Sequence, residues 1–433
     1  MKKILRSSLA FLFALSLLSA CSSGNSTPSS SPTPAPSGGG GDQPAEKKVI
    51  TVLQLKREIA DPLKEMAKEY QKTHPNIEFQ FLGGQEDYDT ALKSAFASGN
   101  EPDIFTSSGD AHLELWKEKM IDLTDEPWMS DMVDVSKPPI TSDGKIYGMA
   151  YNIEGFGYIY NKDLFAKAGI TETPKTLSEL EEVCKKLEAA GITPFVNAWQ
   201  ETFTLGRHGM NATLARQEDP TQWAKDLLEG KTTFKGNNPT LDYLNLIDLN
   251  KKYGNQDAMT TDYNTSVAKF AAGEAAIIQQ GVWTQAMFDK LGVQLNMGMF
   301  PIPINDDVEA NNEIFAFAGN YWVINKNSKV IPEAKEWLNW LVTDPVGQSF
   351  IVDKFKFIPA FKSIDFTTEQ LGDLAGALTD YTSQGLSDGR YFNKMPPGSD
   401  KEFGVVLQAY VADKLTKEQV LEKFDEVVKS LAK

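Results

Sequence analysis

The sequence predicts an α/β fold, and three observations lead there. Short runs of β-branched and aromatic residues recur from residue 48 onward. Amphipathic stretches with helix-capping residues follow them. The spacing, a strand and then ten or more helical positions, is that of strands joined by helical crossovers in a parallel sheet.

Residues 48–55, KVITVLQL, read as a first strand. Residues 61–73 carry Leu63, Met66, Ala67 and Tyr70 at helical spacing, and Asp61 with Pro62 suits a cap and first turn. Residues 76–82 alternate as a second strand, 87–98 form a helix ending at Gly99, and 102–106 are a third strand. In such sheets ligands lie at the carboxyl ends of the strands. Residues 143–161 mix aromatics and glycines without helical period and read as extended chain. Residues 174–191 return to helix: Thr176 caps, Glu179 completes a capping box, and Leu177, Leu180, Cys184 and Leu187 share one face. Cys184 is therefore read as a buried helix residue. Helical patterns recur at 221–230, 238–253, 265–272, 332–343 and 414–431. Extended runs fall at 275–283, 297–303 and 314–324, and 305–313 reads as a solvated acidic loop. No solenoid-period repeat occurs.

Composition narrows the function. At 433 residues the chain is long enough for two or three domains with real cores. Lys plus Arg is 43 against 59 Asp plus Glu, a net charge of −16, which repels phosphate backbones and argues against nucleic acid as a partner. Two cysteines and three scattered histidines give no disulfide framework, no metal centre and no histidine-based nucleophile, and no cofactor is expected.

Residues 1–20 have the layout of a secretory signal: MKKILR is basic, 9–18 are apolar, and small residues precede Cys21. The apolar run is too short to cross a bilayer. Leu-Ser-Ala-Cys at 18–21 resembles a bacterial lipobox, which implies cleavage after Ala20 and lipid on Cys21. Residues 21–47, rich in Ser, Thr, Pro and Gly, are read as a flexible tether of roughly 25–30 Å mean reach. The expected location is the extracytoplasmic face of the cell membrane, held by lipid alone.

Nucleotide-binding glycine patterns, HExxH, GxSxG and calcium loops do not occur. What remains is aromatic residues in loop-like contexts beside Gly, Asn and Glu: Trp199 and Phe203, Trp283, and Tyr321 with Trp322. Flat rings pack on the C–H faces of sugars, while acids and amides bond the hydroxyls.

Four segments then show a resemblance: EPDIFT (101–106), DGKIYGMAYNIEGFGYIYNKDLFAKAGI (143–170), KFAAGEAAIIQQGVWT (269–284) and INKNSKVIPEAKEWLNWLVTDP (324–345). Over about 48–433 the chain is similar to the carbohydrate-binding lipoproteins that feed ABC importers, the group that includes maltose-, raffinose- and multiple-sugar-binding proteins. The resemblance implies a two-lobe, periplasmic-binding-protein-like fold with the ligand between hinge-linked lobes. Mapped here, lobe one takes 48–152 plus 298–342, and lobe two takes 153–297 plus 343–433. It implies no enzyme activity, a di- or oligosaccharide ligand, ABC permease subunits as partners, and a monomer. It also implies ligand-binding roles for Asp110, Glu154, Trp199, Glu201, Phe203, Trp283, Asn320, Tyr321, Tyr391 and Phe403. Ser107 stands where maltose-binding relatives carry a stacking tryptophan, which argues against maltodextrin. The alternatives are a surface glycoside hydrolase and a lipoprotein that binds a non-sugar solute.

Overall fold

The computed structural model describes residues 46–83 and 88–431. The signal segment, Cys21 and nearly all of the tether lie outside the described residues.

Two sheets organise the chain. In the first, β1 (Lys48–Gln54) lies between β2 (Ile77–Gly83) and β3 (Ile104–Ser107), parallel to both, with Ile50 opposite Phe79 and Val52 opposite Ile104. After the small hairpin of β4 (Thr141–Ser142) and β5 (Lys145–Ile146), β6 (Met149–Ala150) forms the far edge of this sheet. The second sheet is built on β7 (Ile153–Asn161), flanked by β9 (Ala275–Gly281), β10 (Met297–Phe300) and β11 (Ile314–Ala318), all antiparallel to it. Its edges are β8 (Thr193–Val196), parallel to β9, and β13 (Ser387–Asp388), parallel to β11. β12 (Tyr321–Ile324) pairs with β3 and β6 and returns to the first sheet. The expected parallel order thus holds for β1–β3, whereas the second sheet is largely antiparallel.

Strand pairing also revises the crossings. The chain leaves the first sheet between β6 and β7, at Tyr151–Asn152. It returns at Gly319–Asn320 and not near residue 298, because β10 and β11 both pair with β7. The run 314–324 is therefore two strands in two sheets. Residues 344–361 stay with the first sheet's side, where Phe361 bridges Met132, and the helix Asp373–Ser383 then packs on β10 and β11. Two buried clusters form the core: one joins the first sheet to one face of the second through Ile159, Ile278, Met299 and Ile314, and the other covers the second sheet's opposite face. Trp322 and Trp337 meet at 5.2 Å in one, and Phe234, Phe403 and Phe424 pack edge to face in the other.

The helix signals transfer with two changes. Helix Ala60–Gln71 starts one residue before Asp61, which has no capping role and instead pairs with Lys64 and Lys290. Thr176 caps Leu177–Ala189 by accepting from the Glu179 N–H, but the Glu179 carboxylate accepts from the Lys175 N–H, so the capping box is half formed. Cys184 is fully buried on that helix, and burial raises its thiol pKa far above the ordinary value. The acidic loop is not wholly solvated. Asp306 accepts from the Ser178 N–H and hydroxyl and fastens the loop to the start of the same helix.

Candidate functional site

The carboxyl end of β1 runs into residues 55–58 and places Lys56 between the two sheets. Glu154, the second residue of β7, accepts from the Lys56 ammonium and from Asn152 Nδ2 at 2.9 Å. Glu58 also accepts from Lys56, at 3.2 Å. Burial works against the Lys56 charge, but Glu154 and Glu58 outweigh it and hold its pKa above the ordinary lysine value. Gly319 makes room for this arrangement, because a Cβ there would overlap the Glu154 carboxylate.

The second lobe supplies the facing wall. Residues 201–203 lead into a π-helical turn, Thr204–Gly209, a geometry frequent at functional sites. The turn presses on helix Ser399–Val411: a Cβ on Gly206 would overlap the Asp400 carbonyl, and Arg207 meets the Asp400 carboxylate at 2.7 Å. His208 stacks on Phe156 at 4.3 Å and lies 5.5 Å from the Trp283 ring. Phe203 stands edge-on to His208 and Tyr263. Trp283 follows β9 and folds back over Gly281, where a Cβ would strike its ring.

These groups enclose a cavity of about 310 Å³ between the lobes, within the lower range of small-molecule sites. Glu154, Glu201, Phe203, Trp283 and Asn320 line it. So do Lys56, Tyr263, Arg207, His208 and Arg390, which sequence reasoning did not single out. The lobes also touch directly around it. Arg57 pairs with Glu201 at 3.4 Å, Asn393 donates to the Ser108 carbonyl at 2.7 Å, and Lys394 meets Asp110 at 3.5 Å. Several polar atoms at the cavity are buried without a hydrogen-bond partner: Asn320 Oδ1, the Tyr263 hydroxyl, His208 Nδ1, and Nε of Arg207 and Arg390. Buried polar groups are normally satisfied, so these are the atoms a ligand would meet.

The other expected residues lie elsewhere. Trp199 is buried in the second core, and its carbonyl accepts from Gln408. Tyr321 is buried in the first core and donates to the Ser136 carbonyl. Phe403 is fully buried against Phe234 and Phe424. Tyr391 packs partly buried on the second core, outside the cavity lining, and Asp110 serves the contact with Lys394. Cys21 falls outside the described residues.

His208 has a consequence for pH. Burial, with the neighbouring Arg390 and Arg207 guanidinia, pushes its pKa well below the ordinary histidine value. The unfolded chain gains a proton there below about pH 6.5, and folded His208 does not, so the unfolded state binds more protons and stability falls on acidification. We expect a loss of up to about 1.4 kcal/mol per pH unit between pH 6.5 and 5 from this group. Urea unfolding at both pH values should show that His208→Gln flattens this dependence; an unchanged slope would contradict the assignment.

A sequence profile of the family described as bacterial extracellular solute-binding protein matches residues 56–348. The chain belongs to this family. Its members are binding proteins, and the family is extracellular. The chain is 27% identical over 322 residues to the maltodextrin-binding protein of Bacillus subtilis (strain 168), covering 71% of this chain and 72% of that one. It is 24% identical over 315 residues to the maltotriose-binding protein of Pyrococcus abyssi (strain GE5 / Orsay), covering 69% and 63%. Among solved structures, SBP RafE in complex with raffinose superposes with a TM-score of 0.79 at 18% identity, covering 89% of this chain and all of that one. A chitin oligosaccharide binding protein gives 0.76 at 21%, covering 89% and 99%. The two-lobe α/β architecture is thus that of the solute-binding proteins.

Proposed function

We propose that this solute-binding protein is the oligosaccharide receptor of an ABC-type importer, tethered to the outer face of the membrane through lipid on Cys21. The observation that carries the reading is the interlobe cavity itself. Aromatic faces of Trp283, Phe203 and Tyr263 stand beside unpartnered polar atoms of Asn320 and Tyr263, the mixture that a sugar ring with apolar faces and hydroxyl edges requires. The ligands for which these relatives are named, maltodextrin and maltotriose, support the same class. The ligand would bridge both lobes, through Asn320 and the Lys56 segment on one side and Glu154, Trp283, Phe203 and Glu201 on the other. It would bind the closed form better and shift the population toward it. A permease that recognises the closed pair of lobes would then respond only to loaded receptor.

A thermal-shift screen over di- to tetrasaccharides tests the reading. A sugar present at 100 times its dissociation constant should stabilise the fold by roughly 2.7 kcal/mol, and it should be recovered intact. Turnover abolished by one carboxylate substitution would favour the hydrolase reading. The intact mass of protein extracted from native membranes decides the anchor: an unmodified Cys21 would remove it.

A further inference from the structure

The charges that line the cavity pair off, with one exception. Lys56 has Glu154 and Glu58, Arg57 has Glu201, and Arg207 has Asp400. Arg390 stands apart. Among the described residues it forms no ion pair. Its Nη1 donates to the Gly319 carbonyl at 3.2 Å, and its guanidinium lies 4.6 Å over the Phe317 ring. Its Nε is buried without a partner, as are Arg207 Nε and His208 Nδ1 beside it.

Burial and the nearby Arg207 charge draw the Arg390 pKa down to about 10, so it remains a cation at neutral pH. His208, whose pKa burial and then Arg390 and Arg207 push well below the ordinary value, adds no negative charge to offset them. Glu154, Asp400 and Asp110 act on it from beyond ion-pair distance, and a desolvated guanidinium with no carboxylate in contact is unfavourable. Neutral hydroxyls could accept from it but would leave the charge standing. A planar fork of N–H donors is instead matched to carboxylate or phosphate oxygens, which it can bind through two parallel hydrogen bonds.

We infer that the ligand carries an anionic group, a carboxylate or a phosphate, which Arg390 receives with support from Arg207 on the second-lobe wall of the cavity. This rests on the reading of the chain as an oligosaccharide receptor and narrows it to acidic glycosides, in which the apolar ring faces pack on Trp283 and Phe203 while the acid group reaches Arg390. The cavity then has a division of labour: ion-paired Lys56 and Arg57 join the lobes, and Arg390 discriminates by charge.

The test is a calorimetric titration of the full chain with uronate-bearing di- to tetrasaccharides, each paired with its neutral methyl ester, and with glycerol phosphate and inorganic phosphate as the other anion source. The acid should bind at least about tenfold tighter than its ester, and the gap should shrink to within about threefold in Arg390→Gln and persist in part in Arg390→Lys. If Arg390→Gln does not fold, the acid–ester gap in the native protein and its loss at high salt carry the test. Esters or neutral sugars that bind as tightly as the acids overturn the anion assignment and leave the receptor reading in place. Phosphate compounds that bind where no glycoside does support the anion site and overturn the sugar reading. An absence of binding throughout both series overturns both.

Discussion

Replacing Trp283 with alanine should weaken oligosaccharide binding at least about tenfold, equivalent to about 1.4 kcal/mol, while leaving a folded protein. The ring is half-buried in the turn after β9 and lines the cavity, with the Lys56 ammonium 5.7 Å and the His208 ring 5.5 Å from its centroid. It touches both cores at their edges and belongs to the buried centre of neither. Truncation therefore removes an aromatic platform facing the cavity more than it opens a hole in the packing. Large aromatics at binding sites dominate the energy because they bury much area at little cost in rotamer freedom. Titration of both proteins, with circular dichroism as the fold control, reads the effect. Full affinity in a folded Trp283→Ala would place the ligand elsewhere.

Replacing Glu154 with alanine should cost roughly 3 kcal/mol of unfolding free energy. Lys56 and Glu154 are both more than nine-tenths buried, and their pair joins the segment after β1 to the first residues of β7. Removing one partner of a buried pair leaves an uncompensated charge, at a typical cost of about 3–5 kcal/mol. Glu58 still accepts from Lys56 at 3.2 Å, which sets the expectation at the lower end. Replacing both partners together, Lys56→Met with Glu154→Leu, should recover much of the loss, since paired removal leaves no orphaned charge. Urea unfolding of the three proteins checks this. A single substitution within about 0.5 kcal/mol of the native protein would mean that the pair is not holding the crossing.

Of the positions that the family resemblance implied, Glu154, Glu201, Phe203, Trp283 and Asn320 line the cavity. Trp283 sits where the extended run 275–283 ends, Glu154 lies inside the run 143–161 at the start of β7, and Asn320 sits at the Gly-Asn break in 314–324. Trp199 and Phe403 were not separable from them in the same way. Trp199 is a loop aromatic beside Asn and Gln like those at the site, but helix Ser399–Val411, two hundred residues on, closes over it, and Gln408 holds its carbonyl. Tyr321 was misplaced because β12 is covered on both faces, so alternation along the strand does not expose one side. Arg390 was missed because residues 384–398 carry no period to place it; only the contact with Gly319, seventy-one residues earlier, sets it in the cavity. The second crossing was misplaced because β10 and β11 read as generic extended chain, and only their pairing with β7 reveals which sheet they join.

The account centres on an oligosaccharide held between the lobes, and the structure of the protein determined with the tightest sugar from the thermal-shift screen tests it most directly. It predicts a ring stacked on Trp283, hydroxyls bonded to Asn320 and Tyr263, and the Arg57–Glu201 and Lys394–Asp110 contacts drawn closed around an intact sugar. A sugar bound outside this cavity, or one that leaves Trp283 and Asn320 untouched, would contradict it.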